Sequence, residues 1–332
     1  MDKVLISGYY GFGNFGDEAI LSILCSHLKS LNILPTILSV NPDLTSKNND
    51  VRSVGSFNIK SVISEIFKTD ILISGGGSLL QDVTSLKSLI YYSFIIFLAL
   101  ILRKKVIIFA QGIGPLNNFI SRFIVFNLLR HCTIVSVRDN KSLELLQNHG
   151  IKAFRVNDPI FSLPINEIEK SQAVGIQLRS FPSLSEEFLD NLAKNTAENF
   201  KDKKIELLSL QDTLDISTLK IFQNKLLKYG VNAELISNLD RDEIIKKIAS
   251  FDILIGMRFH AILVALKSNV KTLAINYDEK VEKLANEFNL PMLNLNKSQN
   301  YNEIFAKFIN TTQNHTKSFP TFDWTEFDKI LT

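Results

Sequence analysis

The stretch Val4-Leu5-Ile6-Ser7-Gly8-Tyr9-Tyr10-Gly11-Phe12-Gly13-Asn14-Phe15-Gly16-Asp17-Glu18 decides how the chain is read. An apolar run of strand character, Val4–Tyr9, passes into a glycine-rich turn, and a helix begins near Asp17. The same succession recurs downstream. Ile71–Ser74 leads into Gly75-Gly76-Gly77, and Val106–Ala110 into Gln111-Gly112-Ile113-Gly114-Pro115. Thr133–Val137 leads into Arg138-Asp139 and a helix reaching His149. Near-continuous apolar strands alternating with helices predict a parallel sheet covered on both faces.

The pattern breaks over Asn157–Lys170, where two prolines and a polar run mark a linker. A second series follows, with strands at Ala173–Leu178, Ile205–Leu210, Phe251–Ile255 and Lys271–Ile275. A helix over Asp240–Ser250 is introduced by Asp240 with Glu243 three residues on, the spacing of a capping box. Thr321–Thr332 reads as a last amphipathic helix carrying Trp324 and Phe327. The expected division is residues 1–162, 163–312 and a helical tail at 313–332. The expected class is α/β, with two Rossmann-like domains facing across a cleft in the GT-B-like manner. Ligands of such sheets bind at the carboxyl ends of the strands.

Composition bounds the function. The 332 residues are 45% hydrophobic and 21% charged, as in a folded globular chain. A net charge of +3, with Lys and Arg dispersed, argues against a nucleic-acid partner. Cys25 and Cys132 lack metal-ligand spacing and read as buried structural thiols, and no metal site is expected. The start Met1-Asp2-Lys3 runs straight into a strand, so a cytoplasmic location is expected. Ser88–Leu102 is an uncharged run of 15 residues between Lys87 and Arg103, short of a bilayer span. It reads as a buried helix over a sheet, the alternative being an apolar helix resting peripherally on a membrane.

The loops at strand ends carry the candidate chemistry. Gly11-Phe12-Gly13-x-x-Gly16 is formally a G-x-G-x-x-G, but the following strand runs Leu38-Ser39-Val40-Asn41-Pro42 without the ribose-binding carboxylate of a dinucleotide site. Asp17 either caps its helix or meets substrate. Gly75-Gly76-Gly77, with Gln81 beyond, offers exposed amides for an anion, and Gln111 heads a third glycine loop on the same edge. Arg138 is either a surface residue paired with Asp139 or Asp158, or a guanidinium fork for phosphate or carboxylate. Gly256-Met257-Arg258-Phe259-His260 turns a strand into a helix and brings an imidazole to the edge of the second sheet. His27, His131, His149 and His315 lack such company and read as structural or exposed. Lys280 stands one turn into the helix after the next strand.

Taken in order, several motifs resemble those of the polysaccharide pyruvyl transferase family, in particular the bacterial type acting on cell-wall polymer. They are Gly8–Ile20, Gly75-Gly-Gly-Ser-Leu-Leu-Gln-Asp82, Ala110-Gln-Gly-Ile-Gly-Pro115, Ser136-Val-Arg-Asp139, Asp158-Pro159, Gly256-Met-Arg-Phe-His-Ala261 and Tyr277-Asp-Glu-Lys-Val281. The resemblance implies phosphoenolpyruvate as donor co-substrate, no further cofactor, and a glycan or lipid-linked glycan as acceptor, modified with a pyruvate ketal. It implies His260, Arg138 and Lys280 as catalytic residues, with Arg258, Gly256 and Arg179 on the donor. Gly11, Asn14, Asp17, Gly76, Gly77, Gln81 and Gln111 fall to the acceptor. A GT-B glycosyltransferase using a nucleotide sugar, or a glycan-binding protein without turnover, are the alternative readings.

Overall fold

The computed structural model describes residues 2–83, 85–295, 297–312 and 319–332. The chain divides into two compact units, Met1–Leu163 with Pro320–Thr332, and Pro164–Phe319.

The first unit is a seven-stranded parallel sheet. Its strands are β1 (Val4–Ser7), β2 (Thr36–Ser39), β3 (Arg52–Gly55), β4 (Ile71–Ser74), β5 (Lys105–Gln111), β6 (Ile134–Val137) and β7 (Phe154–Arg155). They lie in the order β3-β2-β1-β4-β5-β6-β7. Helices α1 (Phe15–Ser30), α2 (Pro42–Asn49), α3 (Ile59–Lys68), α4 (Leu86–Ile101), α5 (Phe119–His131) and α6 (Asn140–Gln147) connect them. β1 and β4 are buried throughout, which is why their sequences are apolar without alternation.

The second unit repeats the plan with six strands: β8 (Ala173–Gln177), β9 (Lys204–Leu208), β10 (Ala233–Ile236), β11 (Ile253–Gly256), β12 (Lys271–Asn276) and β13 (Met292–Asn294). Their order is β10-β9-β8-β11-β12-β13. Its helices are α7 (Glu186–Phe200), α8 (Asp212–Lys228), α9 (Arg241–Ser250), α10 (Phe259–Lys267), α11 (Glu279–Glu287) and α12 (Tyr301–Asn310). The capping box expected at Asp240 and Glu243 is formed, each side chain taking up the other's backbone N–H. In each sheet the strand order reverses once, between β1 and β4 and between β8 and β11. Loops leave such a point in opposite directions and open a crevice at the carboxyl ends.

Three expectations need adjusting. The tail is no separate body: its last helix, α13 (Thr325–Leu331), belongs to the first unit, while residues 313–318, with His315, lie outside the described residues. Trp324 stacks on His27 with ring centroids 3.7 Å apart, and Phe109 packs 5.1 Å from Phe322 and 5.2 Å from Phe327. His27 Nε2 lies 2.7 Å from Asp328 Oδ1, a structural role. The buried reading of Ser88–Leu102 holds for one face of α4 only. Leu89, Tyr92, Ile95, Ile96 and Ala99 are buried, whereas Leu86, Ile90, Phe94, Phe97 and Ile101 are exposed. Among the described residues no helix is long and apolar enough to cross a membrane. Cys25 is buried as expected, but Cys132 is half-buried; burial still pushes its thiol up to about 12.

Glu65 on α3 accepts from Arg52 Nη1 and from Arg52 Nη2 at 2.9 Å, tying α3 to the edge strand β3. The bidentate Arg52 contact holds its carboxyl down at about 2, below the ordinary carboxylate value. A depressed folded-state value gives stability that is present above the unfolded pKa and lost as pH falls toward the folded one. Glu65→Gln is therefore expected to lower the thermal midpoint at pH 7 and to lower it progressively less as pH falls through about 2, read by calorimetry across that range.

Candidate functional site

In the first unit the loops at the β1/β4 reversal pack against one another. Asn14 caps α1, accepting from Gly16 N at 3.1 Å. Asp17 is thereby released from the capping role that the sequence left open. A Cβ placed on Gly77 would lie 2.7 Å from Asp17 Oδ1, so the two glycine loops meet at this carboxylate. Gly11, at φ +83, fits only because it lacks a side chain: a Cβ there would lie 2.3 Å from Ser39 Oγ and 2.6 Å from Asn41 N. Its N–H donates to Glu18 Oε1 at 2.8 Å.

Gln111 ties the edge together. Its Nε2 donates to Ser74 O at 3.1 Å, Ser74 Oγ at 2.8 Å and Gly75 O at 2.8 Å, while Gly112 N donates to Gly77 O at 2.8 Å. Its Oε1 and the Tyr10 hydroxyl are buried and have no hydrogen-bond partner among the described residues. Burial and the nearby Asp17 carboxylate push the Tyr10 phenol well above its ordinary value, so it stays a neutral donor. The structure thus brings Gly11, Asp17, Gly76, Gly77 and Gln111 to one edge. Gln81 makes a local turn contact, its Oε1 accepting from Val83 N at 2.9 Å.

Gly77 has φ +97, a backbone region that side chains rarely enter. Gly77→Ala is expected to cost about 1–2 kcal/mol of stability and to displace Asp17, read as a lower thermal midpoint.

Arg138 follows β6, and its N–H donates to Gln111 O at 3.2 Å. Its Nη1 donates to Asp158 Oδ2 at 2.7 Å, with the two side chains 11% and 5% exposed. The partner is Asp158, and the pair is buried rather than on the surface. Asp139 instead caps α6 through Ser142.

In the second unit the residues gather at the β8/β11 reversal. Gly256 pairs with Gln177 on one side and Ala274 on the other, so β8, β11 and β12 end side by side, about 4.8 Å apart. Arg258 follows β11 as the N-cap of α10, which has no side-chain cap. Its N–H donates to Gln177 Oε1 at 2.7 Å. Asp215, fully buried, accepts from Arg258 Nη2 at 2.6 Å and Nε at 3.1 Å, and from the N–H of Leu210 at 3.0 Å and Gln211 at 3.1 Å. Four donors satisfy this carboxylate, as a buried charge requires.

Arg179, just past β8, stacks its guanidinium 5.7 Å from the Tyr277 ring centroid. Its Nε is buried without a hydrogen-bond partner among the described residues. Burial and Asp278 push the Tyr277 phenol up, with the Arg179 and Arg258 charges acting against that. His260 and Lys280 each occupy the second position of a helix, α10 after β11 and α11 after β12. Gly256 is buried in its strand, where a Cβ would press on Ile262 and Leu254 at 3.1 Å, so its contribution is packing. Arg179, Arg258, His260 and Lys280 thus share one sheet edge. Arg138 belongs to the first unit. The neighbouring cavity of about 420 Å³ is lined by Asp278, Glu279 and Glu282 against the single cation Lys297, a poor match for phosphate.

Asp215, Gln177, Gln211 and Asp158 were not read as site residues in their own right, although signals exist. Gln177 ends an apolar strand as Gln111 does, a lone amide in a buried run. Asp215 lies on the apolar stripe of α8 with Leu219, Phe222 and Leu226, where an acid needs a partner.

The polysaccharide pyruvyl transferase family model matches residues 14–279. No curated protein matches the sequence. Among solved structures, the S. aureus MnaA co-structure with UDP is similar at 12% identity and TM-score 0.68, over 99% of this chain and 95% of that one. A putative UDP-N-acetylglucosamine 2-epimerase from Listeria monocytogenes is similar at 11% identity and TM-score 0.65, over 100% and 95%. Anabaena Alr3699/HepE with UDP and glucose is similar at 12% identity and TM-score 0.62, over 95% and 92%. At such identities the likeness carries the GT-B-like fold alone, and the family is carried by the sequence match: the chain belongs to the polysaccharide pyruvyl transferase family.

Proposed function

We propose that this chain transfers pyruvate from phosphoenolpyruvate to two hydroxyls of a sugar in a cell-wall or surface polysaccharide precursor, forming a ketal and releasing phosphate. The observation that carries the proposal is the gathering of Arg179, Arg258, His260 and Lys280 at the ends of β8, β11 and β12. Phosphoenolpyruvate bears a phosphate and a carboxylate, and fixed cations beside a helix N-terminus match both. Arg179 directs its fork at the donor. Arg258, held by Asp215, is a positioning residue that starts α10 in the right place. Lys280 offsets the charge on the departing phosphate.

The bookkeeping of the reaction gives His260 its task. The C=C double bond of the donor becomes single as its methylene carbon gains a proton, and the adjacent carbon, having lost that π bond and its bond to phosphate oxygen, gains two C–O bonds to sugar. Of the two hydroxyl protons released, one balances the new methyl group and the other leaves with phosphate. An imidazole relays these protons near neutral pH. Arg138 is assigned a catalytic role through its guanidinium fork. Asp17, Asn14, Gln81, Gln111 and the glycine loops are assigned to the acceptor.

Calorimetry tests the donor assignment: phosphoenolpyruvate binds, and Arg179→Ala weakens it about tenfold to a hundredfold. Similar folds were solved with UDP or nucleotide sugars, which supports a second reading as a nucleotide-sugar transferase. Binding of UDP with no binding of phosphoenolpyruvate would select it.

A further inference from the structure

We propose that the face formed by α4 and α5 docks on an anionic phospholipid bilayer. The two helices pack side by side, and each turns apolar side chains outward. On α4 the exposed residues Leu86, Ile90, Phe94, Phe97 and Ile101 recur at helical spacing, forming one stripe. On α5, Phe119 is 78% exposed, Ile120 63% and Phe123 63%. Between the stripes runs an apolar groove of about 320 Å³, in which Ile90, Phe94 and Phe97 face Ile120 and Ile124. It continues into a second hollow of about 640 Å³, whose far rim carries Arg103, Lys104 and His131. An apolar patch of this extent, with both halves contributing large side chains, marks an interaction surface.

Charge chooses the occupant. Between Asp82 and Asp139 the sequence holds no Asp or Glu, while Lys87, Arg103, Lys104, Arg122 and Arg130 fall within that stretch. Asp82 itself, beside the start of α5, has its two oxygens taken up by the N–H groups of Asn117 and Asn118 at 2.8 Å each. Apolar side chains flanked by cations, with no carboxylate on either helix, match the interface of a bilayer carrying anionic headgroups. A second copy fits poorly, because a twofold interface would set the same cations against one another. At 16 residues α4 is about 24 Å long, shorter than the hydrocarbon core, so it lies on the surface.

The test is co-sedimentation of the full chain with vesicles of phosphatidylcholine alone or mixed with phosphatidylglycerol. Binding to the mixed vesicles only is expected, weakening as salt is raised. Phe94→Glu with Phe123→Glu should reduce the bound fraction about tenfold or more. Because both rings are exposed, the thermal midpoint should be unchanged. Arg103→Glu with Lys104→Glu should weaken binding to mixed vesicles while leaving the apolar stripes intact. Absence of vesicle binding, binding that ignores both double variants, or a stable dimer that buries this face would each overturn the proposal.

Discussion

Asp215→Ala is expected to lower stability by about 3–5 kcal/mol, the largest single effect in the second unit. Asp215 and Arg258 are 0% and 8% exposed at the side chain, and their contact is bidentate. Truncating the acid leaves a buried guanidinium without counter-charge and orphans the N–H groups of Leu210 and Gln211. The companion experiment is Asp215→Leu combined with Arg258→Met, which removes both charges and refills the volume. Chemical denaturation should show the part of the loss due to the unpaired buried charge recovered in that double variant, and the part due to the orphaned N–H groups of Leu210 and Gln211 retained. Binding of phosphoenolpyruvate should stay weak, since the Arg258 charge is gone from the start of α10 even though its backbone N–H still donates to Gln177 Oε1. Equal losses in the single and double variants would mean that the pair is not what holds this edge.

His260→Gln is the second. It should lower the rate of pyruvyl transfer by about 10²–10⁴ while changing the affinity for phosphoenolpyruvate only a few-fold. The residue stands half-buried at the second position of α10, past a strand end, and is not part of the core of its unit. Its loss should therefore leave the thermal midpoint nearly intact. A fall in kcat with KM preserved identifies a group used in the chemical step rather than in ground-state binding. Full activity in the variant removes the imidazole from the mechanism.

The fold was legible because buried parallel strands are apolar on both faces and each is followed by a loop of distinct chemistry. β1, β4, β5, β6, β8, β9, β11 and β12 all fall on runs found from hydrophobicity, within a residue or two. β2 was read only from its end at Leu38-Ser39, and β3, β7, β10 and β13 escaped that reading. β3 and β10 are edge strands with exposed or half-exposed residues such as Arg52 and Glu234, and β7 has only two residues, so their patterns are weak. The site was legible at strand ends, where Gln111, Arg138, Arg258 and His260 all stand. What stayed hidden were partners contributed from elsewhere in the sequence. Asp215 reaches Arg258 across 43 positions, and Asp158 reaches Arg138 across 20. No local period encodes such a pairing; the β9–β8–β11 adjacency does for the first, and the β6–β7 adjacency for the second. The outward face of α4 was hidden for another reason: its sequence is apolar all round, so periodicity alone does not say which side faces solvent.

On the proposed function, the cations and imidazole of the second sheet edge act on phosphoenolpyruvate. The most direct measurement is a donor comparison with a sugar-containing acceptor glycan, following inorganic phosphate and the mass of the glycan together. Phosphoenolpyruvate should release one phosphate for each pyruvyl mass added, and nucleotide sugars should give neither signal. Transfer of a sugar from a nucleotide donor, with phosphoenolpyruvate left untouched, would contradict it.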